Sequence, residues 1–168
     1  MAIVTSADAG LRAAPRATVL QLRAPDLSVA ELEREAGKLV PHSPVPVVVG
    51  SRVDVVLAVE AAGVHLPERD ISPRDARRLV GERLVGRSVH SIESAVAAER
   101  EGADYVVFGP VWPSASHPDV APIGIAALSE VARAVRIPVL AIGGITQERI
   151  EECHRVGAAG YAAIRMFE

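Results

Sequence analysis

Cysteine is almost missing from this chain. Cys153 stands alone, so no disulfide can form within it, and a reducing, cytoplasmic setting is the expectation. Aromatic residues make up only 3% of the 168 residues, which leaves Val, Leu, Ile and Ala to fill the core. Lysine is scarcer still: of 18 basic residues 17 are Arg, and Lys38 lies in the polar helical stretch Leu32-Glu33-Arg34-Glu35-Ala36-Gly37-Lys38. Schiff-base catalysis needs a lysine at the reacting centre, and this chain has none to place there. No apolar run approaches the roughly 20 residues that span a bilayer. No charged-then-apolar leader is present either, so no signal peptide is expected. A net charge of −3 gives no bulk attraction to nucleic acid or an anionic membrane, and neither is expected as a partner.

What is present is alternation. Short β-branched runs at Ala2–Thr5, Thr18–Leu22, Val45–Val49, Gly63–Leu66, Leu84–Ser88, Tyr105–Phe108, Val139–Ile142 and Tyr161–Ile164 read as strands. Helical patterns separate them at Ser28–Leu39, Val53–Ala61, Pro73–Val80, Ser91–Glu101, Ala126–Val135 and Gln147–Val156, with one short turn at Ala9–Ala14. Ser28 with Glu31, Ser91 with Ser94, and Thr146 before Gln147-Glu148 read as helix starts. Wholly apolar strands imply burial on both faces, hence a parallel sheet covered by helices. Eight of them in strict alternation predict an α/β fold, a (β/α)8 TIM barrel forming a single domain over residues 1–168.

The predicted barrel is shortened. Such barrels usually run to about 250 residues, with about 200 at the lower end. Here the sequence stops just after the eighth strand, so the last helix is lacking. Tyr161–Ile164 and Ala2–Thr5 would then expose adjoining apolar faces, which monomers rarely tolerate, and a homodimer covering them is the expectation. The alternatives are that Met166 and Phe167 fold back over the gap or that the preceding helix shifts across.

Barrel chemistry sits at the carboxyl ends of the strands. The strongest signal there is Ile142-Gly143-Gly144-Ile145-Thr146: a strand, two glycines and a helix start. Glycines let backbone N–H groups approach an anion, and a helix N-terminus favours its charge. Gly143 and Gly144 are therefore the candidate phosphate-binding turn, with Arg165 after the eighth strand as a forked cationic donor. The bland alternative is a tight turn beside a solvated arginine.

The segments Gly86-Arg87-Ser88-Val89-His90-Ser91 and Glu99-Arg100-Glu101-Gly102-Ala103-Asp104-Tyr105-Val106-Val107-Phe108-Gly109-Pro110-Val111 resemble the thiamine-phosphate synthase and TenI family. So do Gln21-Leu22-Arg23, Arg52-Val53-Asp54, Gly63-Val64-His65-Leu66 and Ile137-Pro138-Val139-Leu140-Ala141-Ile142-Gly143-Gly144-Ile145. The resemblance implies a thiazole phosphate or thiamine phosphate as ligand and one of two reactions. In the synthase, a pyrimidine pyrophosphate loses pyrophosphate with magnesium help, and the thiazole nitrogen attacks the resulting cation. In the TenI branch, a thiazole carboxylate phosphate is isomerised by proton transfer.

The synthase pattern has Asn-Asp before Arg-Val-Asp, where this chain has Gly50-Ser51. It has lysines where this chain has Pro25 and His117, while Asp70 matches its second metal carboxylate. These losses argue for no metal site and no cofactor. The first reading is accordingly a thiazole tautomerase of the TenI type. The alternatives are a catalytically silent regulatory binder and a divergent synthase. The TenI branch carries a histidine where this chain has Pro110, so His117 is the substitute acid/base candidate, with His90 next. By the resemblance Gln21, Arg23 and Ser88 contact the ligand, and Ser114 and Ser116 replace hydroxyl residues used on pyrophosphate.

Overall fold

The computed structural model describes residues 1–114 and 118–168. Eight strands follow one another around a barrel: β1 (Ala2–Val4), β2 (Leu20–Leu22), β3 (Val47–Gly50), β4 (Gly63–Leu66), β5 (Leu84–Val89), β6 (Tyr105–Phe108), β7 (Val139–Ile142) and β8 (Gly160–Ala162). They are hydrogen-bonded in chain order, each parallel to the next. A bridge between Ala2 and Ala163 closes the ring, the Ile3 amide donating to the Ala163 carbonyl at 2.9 Å. This is the (β/α)8 barrel that the alternation predicts. Between the strands lie α1 (Ala7–Ala13), α2 (Val29–Leu39), α3 (Val53–Ala58), α4 (Pro73–Val80), α5 (Ile92–Arg100), α6 (Ile125–Ala134) and α7 (Gln147–Arg155).

A period of two sorts each strand between two apolar layers. Leu20, Leu22, Val47, Val49, Val64 and Leu66 pack outward beneath the helices, as do Val106 and Phe108 on the far side. Ile3, Val48, Tyr105, Val107 and Ala162 share the lumen. Alternation puts Gly63, Gly86 and Gly160 on that inner side too, so the lumen is thinly filled and can open at the carboxyl end of the strands.

Local chemistry explains the helix starts. Ser28 and Glu31 form a reciprocal capping box at α2, Ser91 and Ser94 do the same at α5, and Ser72 caps α4 ahead of Pro73. Thr146 departs from expectation: it stands at the N-cap of α7 without a side-chain cap bond. Its hydroxyl engages Glu148 instead and holds that carboxyl below its usual range. The helix of the first unit is longer than expected because Ser6, unremarked in the sequence, caps α1 through the Ala9 amide.

The bare apolar face predicted beside β8 is covered from within the chain. A 3₁₀ turn, Arg165–Phe167, brings Phe167 down to 6% exposure against the β1 side of the core. Its ring stacks on Tyr161 at 6.2 Å, and the Arg16 guanidinium lies 5.9 Å from it on another side. Folding back of Met166 and Phe167, one of the alternatives to a homodimer, thus covers this face from within the chain. Lys38 sits on the outer surface of α2, paired with Glu35 at 2.9 Å. No helix among the described residues is long and apolar enough to cross a membrane.

Candidate active site

The loops after the strands surround one cavity of about 930 Å³. Gln21, Arg23, Ser88, His90, Ser114, Gly143, Gly144 and Arg165 all line it. The structure therefore brings together every candidate site residue that it describes; Ser116 and His117 lie outside the described residues.

The turn from β7 into α7 is held by its carbonyls. Val111 donates to the Ile142 carbonyl at 2.8 Å, Trp112 to that of Gly143 at 3.2 Å, and Arg149 Nη1 to that of Gly144 at 2.5 Å. Arg149 also lies 5.0 Å over the Trp112 ring, so Trp112 anchors the loop after β6 onto this turn. Both glycines adopt left-handed backbone, φ 94° at Gly143 and 63° at Gly144. With the carbonyls tied back, the N–H groups of Gly143, Gly144 and Ile145 have no acceptor among the described residues and sit at the start of a nine-residue helix. That arrangement can hold a phosphate.

Arg165 and Arg23 stand exposed on the cavity wall, and among the described residues neither forms an ion pair. Gln21 is only 3% exposed, yet its amide has no protein partner among the described residues. Its amide atoms reach the cavity, where a ligand or water can complete their hydrogen bonds. His90 meets Glu68 through Nδ1 at 2.8 Å on the cavity rim. Burial works against ionisation of Glu68, but hydrogen bonds involving Ser94 and His90 outweigh it and hold the carboxyl below its usual range. Glu68 was not legible as a site residue because its partner lies 22 positions away. Arg87, beside Ser88 but facing outward, braces the same loop by donating to the carbonyls of Glu68 and Ile71, each at 2.6 Å.

Beneath the cavity floor lies His65, 3% exposed. Nε2 is 2.9 Å from Ser88 Oγ and Nδ1 is 3.2 Å from the Tyr105 hydroxyl. Burial, reinforced by the charges of Arg23 and Arg87, lowers its pKa to about 3, so the imidazole is neutral at ordinary pH. His42 and His154 bond to backbone carbonyls away from the cavity.

A family model described as thiamine monophosphate synthase matches residues 3–167. The chain belongs to that family. It is 44% identical over 152 residues to the putative thiamine-phosphate synthase 2 of Aquifex aeolicus, covering 89% of this chain and 82% of that protein. It is 41% identical over 152 residues to the thiamine-phosphate synthase of Chloroflexus aurantiacus, covering 88% of this chain and 70% of the other. Among solved structures, thiamine phosphate pyrophosphorylase from Pyrococcus furiosus superposes with a TM-score of 0.87 at 31% identity, over 96% of this chain and 83% of that one.

Family membership raises the question of magnesium, and the residues present do not fit it. Ser51, in left-handed backbone at φ 63°, carries no carboxylate. Asp54 is occupied by Arg52, whose Nε donates at 2.9 Å and Nη2 at 2.5 Å. Asp70 Oδ1 accepts from the Ile71 amide at 2.7 Å. Among the described residues no three acidic, histidine or cysteine side chains gather as metal ligands.

Proposed function

We propose that this protein is a divergent thiamine-phosphate synthase acting in the cytoplasm, which joins a pyrimidine pyrophosphate to a thiazole phosphate. The observation that carries the reading is the cavity itself. At about 930 Å³ it stands near the upper end for a small-molecule site, with room for two small substrates side by side. The names of relatives at 41–44% identity support the same reading. So does Pro110, which has no proton to exchange where a tautomerase of this family carries its histidine.

In this scheme the Gly143–Gly144 amides and Arg165 hold the thiazole phosphate, while Gln21 and Ser88 contact the pyrimidine. Arg23 and Ser114 face the pyrophosphate. The bond between the pyrimidine methylene carbon and the pyrophosphate oxygen breaks with its electron pair leaving on the oxygen. The lone pair of the thiazole nitrogen then forms the new C–N bond. Charge grows on the leaving group, so fixed cations aimed at it lower the barrier. No proton needs to move. The test is product formation: both substrates with purified protein should yield thiamine phosphate and pyrophosphate in equal amounts. Absence of product alongside isomerisation of a thiazole carboxylate phosphate would overturn the reading.

A second reading, the thiazole tautomerase, has one observation in its favour. The His90–Glu68 pair at the cavity rim is a histidine oriented by a carboxylate, the arrangement of a general base. If it acts so, His90→Asn should lower isomerisation by about 10²–10⁴-fold and leave coupling untouched.

A further inference from the structure

His65, Gly86 and Tyr105 occupy one row across three adjacent strands: His65 pairs with Gly86, and Gly86 with Tyr105. Side chains two strands apart meet here only because the residue between them has none. A Cβ at Gly86 would lie 2.1 Å from Tyr105 Cζ and 2.6 Å from His65 Nδ1. The two rings stack at 5.6 Å across that gap, and the chain of contacts runs from the Tyr105 hydroxyl through His65 to Ser88 Oγ.

The direction of the protons along this chain follows from elimination. A neutral imidazole donates through one nitrogen and accepts through the other. If Nδ1 carried the proton, the Tyr105 oxygen would accept it. The tyrosine's own O–H, 7% exposed overall, would then have no acceptor among the described residues, and a buried unpaired donor is costly. With the proton on Nε2, Tyr105 donates to Nδ1 and Nε2–H donates to Ser88 Oγ, so the one donor left over belongs to a group that reaches the cavity rather than to the buried tyrosine. The Ser88 hydroxyl proton then has no protein acceptor among the described residues and is left for the cavity that Ser88 lines.

We infer that Tyr105 and His65 are positioning residues that fix Ser88 as a hydrogen-bond donor toward the cavity, so that the site selects a ligand edge bearing a lone pair, such as an unprotonated ring nitrogen, over one bearing N–H. The inference rests on the proposed reaction only in taking that edge to belong to the pyrimidine. Gly86 is the element that permits it.

Nitrogen-15 NMR of the histidine rings in the free, full-length protein tests the inference without any turnover. His65 should appear as the Nε2–H tautomer. Tyr105→Phe should release it into a mixture and raise the KM for the pyrimidine pyrophosphate about tenfold, as for loss of one ligand hydrogen bond, with kcat and thiazole phosphate affinity little changed. Finding the Nδ1–H tautomer in the unmodified protein, or an unchanged tautomer and KM in Tyr105→Phe, would overturn it. Should Tyr105→Phe fail to fold, His65→Gln keeps an N–H facing Ser88 and His65→Asn does not. Gln should retain pyrimidine affinity in a calorimetric titration, and equal loss in both variants refutes the positioning role. If the tautomer and the pyrimidine affinity behave as stated but no thiamine phosphate forms, the proposed reaction falls and the positioning stands.

Discussion

Substituting Gly144→Ala tests the phosphate turn with the smallest possible change. Gly144 holds φ 63°, and a Cβ there would lie 2.6 Å from the Pro113 carbonyl oxygen and 2.8 Å from Trp112 Cβ. Left-handed backbone costs an L-residue about 1–2 kcal/mol. The steric clash adds about 1–3 kcal/mol, because a carbonyl pinned in the β6 loop cannot swing aside like a flexible side chain. The expected destabilisation is therefore about 2–5 kcal/mol, seen as a lower denaturation midpoint. Relief of the clash must move the turn or the loop, and either shift misaligns the amides of Gly143, Gly144 and Ile145. One hydrogen bond to a charged phosphate contributes about 1.5–3 kcal/mol, so losing one weakens binding by roughly 10–100-fold. Calorimetric titration with the thiazole phosphate measures this directly. Gly37→Ala is the control: its Cβ would find only Val59 Cγ1 at 3.9 Å within α2, and Ala should stabilise that helix by up to about 1 kcal/mol. Unchanged thiazole phosphate affinity in Gly144→Ala would refute the assignment of the turn.

Stability should fall as the pH drops below 6.5, because the unfolded chain takes up a proton that buried His65, with its pKa near 3, refuses. One such proton gives about 1.4 kcal/mol per pH unit, and between pH 6.5 and 5 denaturant titration should show a steeper loss in the unmodified protein than in His65→Gln. Magnesium titrated calorimetrically into the ligand-free protein should show no stoichiometric binding, since Ser51 offers no carboxylate and Asp54 and Asp70 are already engaged; tight one-to-one binding would show the fit to be misjudged. Phe167→Ala should cost about 2–4 kcal/mol, near the low end for deleting a buried aromatic ring, with a melting temperature independent of protein concentration. A concentration-dependent melt would instead point to a homodimer as the cover for the β8 face.

The barrel was legible because most strands are short and largely apolar and each is followed by a helix, several of them with a readable cap. The strand bounds of β4, β6 and β7 follow from that pattern alone. Misjudged ends have local causes. Pro46 delays β3 until Val47, and Ile164 already opens the 3₁₀ turn, which ends β8 at Ala162. In the site, the turn at Gly143 and Gly144 was readable because two glycines between a strand and a helix start mark left-handed backbone. Glu68 and Tyr105 were not, because their meaning comes from partners on other parts of the barrel, 22 and 40 positions away in the sequence. Gly86 belongs with them: a lone glycine in a strand announces that something approaches closely, but not which side chains meet above it.

The two ends of the cavity differ in what makes them. The end proposed for the thiazole phosphate is made of main chain, with N–H groups aimed by carbonyl bonds to Val111, Trp112 and Arg149. Changing it means changing the packing of the β6 loop against β7, so a fold that keeps this contact keeps the turn. The end proposed for the pyrophosphate is made of side chains at exposed loop positions, where Pro25 and Ser51 stand. Replacing a carboxylate or a lysine there alters charge without disturbing any packed layer. On the proposed reading, departure from the synthase pattern falls where the fold does not resist it, and among the described residues Arg23 and Arg165 form no ion pair with a carboxylate. A site of that composition binds anions through fixed positive charge, and its affinity for a pyrophosphate should weaken with added salt as screening between exposed charges sets in over about 8–10 Å.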